Sequence, residues 1–247
     1  MIQNSNQKGR AIAIIAMIFL FGMIAFVTNL AAPIGVIWKN QPALAGSNTL
    51  GMLGNMMNFL AYLFMGIPSG KLLTKLGYKK TALIAIAFGF FGILIQFLSG
   101  QVLTGTLLAG LPANFYVYLL GAFVAGISVC MLNTVVNPML NLLGGGGNKG
   151  NQLLQIAGTF NYFLGTLTPM FVGALIGQIT KETAITDVNV VRYLAMSVFA
   201  VTFLILSFIP IANPDGDHSK STVFERSPFA FRHFTLGVIA IFLYVGT

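Results

Sequence analysis

Two polar clusters interrupt otherwise apolar sequence: Asn133-Thr134-Val135-Val136-Asn137-Pro138 and Gly158-Thr159-Phe160-Asn161-Tyr162. In hydrocarbon an uncompensated amide costs several kcal/mol, so these side chains need partners from neighbouring helices or from a passing solute. Pro138 lacks a backbone donor and frees the carbonyl of Thr134, which predicts a kink or loosening beside the amides. The pair reads as the wall of a pathway for a neutral ligand. Asn133, Asn137 and Asn161 are the principal candidates for hydroxyl contacts, with Gln155 and Thr159 beside them. Asn29, Asn58 and Gln96 add donors and acceptors, and Phe160, Tyr162 and Trp38 are candidate stacking surfaces for a sugar ring. Each amide has an alternative role as interhelical glue, above all Asn58 and Gln96.

Other chemistries lack residues. The five acids, Glu182, Asp187, Asp215, Asp217 and Glu225, and both histidines, His218 and His233, fall in or beside predicted loops. Within the apolar segments there is no paired carboxylate, no nucleophile with a base and no metal-ligand set, so the reading is a non-enzyme without metal or cofactor. Proton relays in membranes use Asp, Glu or His, and the segments hold none. Cys130 is the one cysteine, so no intrachain disulfide forms and packing is its expected role.

The elements that must position these residues are membrane helices. The chain is 56% hydrophobic and 7% charged, with a mean hydropathy of +0.86, which makes it an integral membrane protein. Six segments reach the roughly 20 residues that span hydrocarbon: Ala11 to Trp38, Leu50 to Ser69, Thr81 to Ser99, Phe115 to Leu143, Leu153 to Ile179 and Val191 to Ala212. The first lacks a small-residue cleavage site and reads as a retained helix. A seventh starts near Phe234 and reads as a helix cut short at Thr247. The expected organisation is a six-helix bundle over residues 1–212, a solvated linker over 213–233 and the start of a seventh helix over 234–247.

The net charge of +8 would suggest nucleic acid in a soluble protein, but the basic residues sit between apolar segments and serve topology. With a cytoplasmic N-terminus, ten of the thirteen fall inside (Lys8, Arg10, Lys71, Lys75, Lys79, Lys80, Lys149, Lys220, Arg226, Arg232) and Lys39, Lys181 and Arg192 outside. A weak internal repeat pairs Asn58-Phe59 and Gly70 with Asn161-Tyr162 and Gly173, as in inverted repeats of helices 1–3 and 4–6. The repeat predicts a central cavity lined by helices 1 and 4 with 2 and 5, and helices 3 and 6 outside. Gly121/Ala125, Ala122/Gly126 and Gly173/Gly177 have the spacing of close helix contacts.

The stretch Gly70-Lys71-Leu72-Leu73-Thr74-Lys75-Leu76-Gly77-Tyr78-Lys79-Lys80 resembles the signature loop of the major facilitator superfamily, G-x-L-x-D-R-x-G-R-K, with Thr74 in place of the aspartate and Lys75 in place of the arginine. Met131 to Pro138 and Ala157 to Phe163 resemble helices 4 and 5 of its fucose permease branch, which includes bacterial glucose/galactose transporters and reads L-E-T-x-x-N-P followed by Q-T-F-N-S-F-G. The resemblance implies an all-α membrane protein, the N-terminal 3+3 half of a twelve-helix transporter. It also implies carriage of a hexose-type or fucose-like sugar across a bacterial cytoplasmic membrane by alternating access, actively with a coupling ion or passively. The family glutamate and glutamine fall on Asn133 and Gly158, and its helix 1 acid near Ala32, so those two acids cannot couple protons here. Two other readings stand beside it: a carrier of another neutral solute such as a nucleoside or drug, and a non-transporting scaffold.

Overall fold

The computed structural model describes residues 2–44, 46–209 and 230–245. Contacts divide the chain into a unit Met1–Gly216 and a unit Asp217–Thr247. In the first unit, α1 (Ile2–Asn40), α2 (Asn48–Leu98), α3 (Ala113–Leu143), α4 (Gly147–Ile176) and α5 (Asn189–Phe208) are the long helices. Among the described residues, five helices are long and apolar enough to cross a membrane. A multi-pass membrane protein follows, as composition requires.

Helix α2 holds 51 residues, about 76 Å at 1.5 Å per residue, more than twice a hydrocarbon core of about 30 Å. It does not run straight. Gly77 takes φ 78° and ψ 173° inside it, a left-handed backbone that glycine adopts without Cβ strain. Thr81 Oγ1 donates to the carbonyls of Gly77 (2.8 Å) and Leu72 (3.4 Å), nine residues back, which only a chain reversal permits. Asn58 and Gln96, 38 positions apart, line one small cavity. The limbs 48–76 and 78–98 therefore lie side by side. The sequence places a loop over Gly70 to Lys80; the structure keeps it helical except at Gly77, because Leu72, Leu73 and Leu76 hold an apolar helical face.

Both limbs pack on α3 through small residues. A methyl added to Gly126 would strike the backbone of Asn58, one on Gly121 the backbone of Gln96, and one on Gly92 the backbone of Ala125. Backbones this close exchange dispersion contacts that larger residues would forbid. The Gly173/Gly177 spacing is not used so: Gly173 has nothing near its Cβ position, and Gly177, at φ 81°, ends α4. That turn stops the helix at Ile176, short of Ile179, and at its other end α4 starts at Gly147 instead of Leu153. Helix α3 continues through Pro138 to Leu143.

The turn between α3 and α4 uses Gly145 and Gly146, both at positive φ, and Asn141 Nδ2 closes it by donating to Asn151 Oδ1 at 2.9 Å. Two cations cap helix ends: Arg10 Nε donates to the Leu143 carbonyl (2.7 Å) and Lys79 Nζ to the Ser207 carbonyl (2.8 Å). Such groups satisfy last-turn carbonyls and the helix dipole. Between α2 and α3 a two-residue antiparallel pairing joins Leu107–Leu108 to Leu111–Pro112. The core runs through α1, both limbs of α2, α3 and α5.

In the second unit, α6 (Arg232–Val245) is a helix of 14 residues. It begins two residues before Phe234. Most of the expected linker, 213–229, lies outside the described residues, as do 210–212 at the expected end of the sixth helix.

Candidate functional site

A cavity of about 850 Å³ opens among α1, the first limb of α2, α3 and α4. Its polar lining is Asn29 and Thr28 from α1, Tyr62 from α2, Asn133 and Asn137 from α3, and Asn161, Tyr162 and Thr166 from α4. The second limb of α2 and α5 contribute nothing to this lining, as the repeat pattern leads one to expect. The helix period accounts for the grouping. Asn133 and Asn137 are four apart and share a face of α3, and Asn161, Gly165 and Pro169 share a face of α4.

The hydrogen bonds show what each amide has left to offer. Asn133 Nδ2 donates to Tyr62 Oη at 2.7 Å, and Asn137 Nδ2 makes a long 3.5 Å contact to Asn133 Oδ1. Asn161 Nδ2 donates to the Phe21 carbonyl, tying α4 to α1. Asn29 Nδ2 donates to the Ala25 carbonyl at 2.8 Å. A carbonyl oxygen only accepts, so these contacts fix the amide nitrogens of Asn29 and Asn161 and leave their Oδ1 atoms as acceptors. Thr28 and Thr166 likewise spend their hydroxyl protons on the Ile24 and Tyr162 carbonyls. Tyr62, already accepting from Asn133, keeps its own proton to donate. The polar wall is thus rich in acceptors, with Tyr62 as its hydroxyl donor, and no carboxylate or imidazole lines it.

Of the five residues singled out from sequence, Asn133, Asn137 and Asn161 come together on this cavity. Gln155 and Thr159 lie on an exposed face of α4 outside its lining, and Thr159 Oγ1 is satisfied by the Gln155 carbonyl at 3.0 Å. The aromatic candidates separate too. Tyr162 lines the polar cavity and is 78% exposed. Phe160 instead faces a separate apolar cleft beside Gly22 and Leu164. Trp38 is fully buried, with ring centroids 5.0 Å from Phe115 and 5.3 Å from Tyr118, so it is a core residue and not a sugar platform. Arg192, one of the three basic residues that the sequence reading put on the outer side, is buried at the start of α5, where Nη1 donates to the Ile185 carbonyl and to Asn189 Oδ1.

Thr28, Tyr62 and Thr166 are polar lining residues that sequence reasoning passed over, and Tyr62 is the one that binds an amide of α3. Its signal was faint: one phenol four positions beyond Asn58 in an apolar helix, adjacent to the amides only when α2 packs on α3. Thr74, at the aspartate position of the signature loop, donates to the Lys71 carbonyl at 2.9 Å and so caps its own turn.

The helices and their cavity define a polytopic bundle with the fold of a major facilitator transporter. Over 94% of this chain and 56% of the other, it superposes on the Escherichia coli fucose:proton symporter, a Major Facilitator Superfamily transporter, with a TM-score of 0.65 and 17% identity. No protein-family model matches the chain. In sequence it is 28% identical over 252 residues to the glucose/galactose transporter of Brucella abortus, covering 99% of this chain and 57% of that one. It is 29% identical over 244 residues to a putative glucose/galactose transporter of Helicobacter pylori, covering 94% and 55%. The chain spans little more than half the length of these relatives. The resemblance read in the motifs is borne out, and these relatives are named as transporters.

Proposed function

We propose that this chain forms one wall of a pathway that carries a hexose-type sugar across the cytoplasmic membrane of a bacterium by alternating access. In this reading the two limbs of α2 are separate crossings, so that residues 1–212 form six helices in a 3+3 arrangement, with the N-terminus, the Gly77 turn and the Gly144–Gly147 turn on the cytoplasmic side. Residues 213–233 act as a linker and 234–247 open a further helix. The observation that carries the reading is the acceptor-rich polar wall of the 850 Å³ cavity. A sugar presents several O–H donors on a neutral frame, and Asn29, Asn137 and Asn161 offer oxygens to receive them while Tyr62 donates in return.

Relatives named as glucose/galactose transporters support a sugar over other neutral solutes. With no acid on this wall among the described residues, proton coupling would need residues elsewhere, and a different ion or simple facilitated passage remains compatible. The test is equilibrium binding and uptake of labelled galactose, glucose and fucose by the chain in proteoliposomes, with nucleosides as competitors. Saturable hexose binding that hexoses displace and nucleosides do not is the expected result. Displacement by nucleosides alone, or no saturable binding of any sugar, would overturn the reading.

A further inference from the structure

A second, smaller cavity lies between α1, both limbs of α2 and α3. Its volume is about 10 Å³, and Asn58, Gln96 and Tyr118 line it together with Val27, Ile93 and Ala125. One water molecule needs roughly this much room, about one probe sphere, and two to four polar partners. Asn58 and Tyr118 are 5% and 1% exposed, and Asn58 Oδ1 and Tyr118 Oη have no hydrogen-bond partner among the described residues. Buried polar atoms of this kind are almost always satisfied, by protein or by ordered water. The backbone is shaped to create the arrangement: a Cβ at Gly54 would occupy the position of the Tyr118 hydroxyl, and Gly126 lets α3 touch the chain at Asn58.

The chemistry of the lining selects the occupant. Asn58 Oδ1 only accepts, so an anion is repelled. No carboxylate lines the cavity, so a cation would sit there without a counter-charge. A neutral molecule that both donates and accepts fits all three groups. We propose that this cavity is a built site for one resident water, hydrogen bonded to Asn58, Gln96 and Tyr118, which ties both limbs of α2 to α3. The water explains why two lone amides and a phenol sit in an apolar bundle away from the pathway.

Hydroxyl-radical footprinting by X-ray radiolysis tests this on the whole chain, because radicals form at bound water and label the side chain beside it even when bulk solvent cannot reach. Tyr118 is expected to gain the oxygen label, while Phe199, equally buried at 1% exposure, does not. Replacing sodium by choline at constant ionic strength should leave the label unchanged. Asn58→Leu fills the space with a branched alkyl group and should abolish the Tyr118 label. If that variant fails to fold, the contrast between Tyr118 and Phe199 in the unaltered chain still decides. Tyr118 as unlabelled as Phe199 would overturn the proposal, and a label that appears only in choline would show an ion in place of water.

Discussion

The molecule buries amides in two places and treats them in opposite ways. At the large cavity, Asn29 and Asn161 each commit one group to a backbone carbonyl and turn the other toward open space. At the small cavity, Asn58 and Tyr118 hold polar atoms that meet no hydrogen-bond partner among the described residues, in a space of about 10 Å³. The difference is access. An amide whose spare lone pair faces a volume large enough for a sugar and its water can exchange water for a ligand at little net cost, because both are hydrogen bonding partners. One held among Val27, Ile93 and Ala125, in a space with room for a single water, can only serve the fold. Composition alone does not distinguish pathway from glue.

The largest effect that would break this contrast is at Gly54. In Gly54→Val the new side chain must displace the Tyr118 ring, and overpacking of this kind costs about 1–3 kcal/mol or more. A clear fall in the thermal unfolding midpoint of the chain in detergent is expected; an unchanged midpoint would mean this cluster has slack.

Asn161→Ala comes next, since it removes both an acceptor for ligand and the tie to Phe21. Hexose affinity should fall about tenfold, the equivalent of ~1.4 kcal/mol, with the folded protein retained. Affinity equal to the unaltered chain would take Asn161 out of the site.

Tyr62→Phe deletes a phenol hydroxyl donor on the polar wall and the acceptor for Asn133, where amide N–H groups can still donate. Because water in the open cavity can still satisfy Asn133, the midpoint should hold while hexose affinity drops by about 1 kcal/mol, roughly fivefold. A falling midpoint with constant affinity would assign Tyr62 to structure, making the two regions alike.

The smallest effects sharpen the boundary of the site. Gln155→Ala and Thr159→Ala, on the exposed face outside the lining, should change affinity and stability by less than about 0.5 kcal/mol. Hexose binding by this wall should also stay flat between pH 5 and 8, since none of its lining residues is an Asp, Glu or His that would change charge there. A midpoint in that range, measured on the same chain, would reveal a coupled acid that the present lining lacks.

Much of the fold was legible because membranes constrain sequence strongly. Long apolar runs must become helices when no water is available to backbone groups, and each of the segments begun at Ala11, Leu50, Thr81, Phe115, Leu153 and Val191 lies mostly in a helix, although the fifth stops at Ile176 and 210–212 lie outside the described residues. Where the reading erred, local chemistry competed with hydropathy. Lysines around Gly70 to Lys80 look like a loop, yet the leucines between them keep a helix going until Gly77. The glycines at 173 and 177 look like a packing motif, yet one meets nothing and the other ends its helix.

From the sequence alone, it follows that the chain spans a membrane, that its polar residues cluster at 133–137 and 158–162, and that no acid sits among them, since these depend on residue type and run length. Only the tertiary structure decided which amides share a wall. Helical phase turns Asn161 toward Phe21 and leaves Thr159 outside, and the packing of α2 on α3 brings Tyr62 to Asn133 across 71 positions of chain. Phase and packing are set by contacts between helices, and residue order along one helix does not encode which neighbour it will meet.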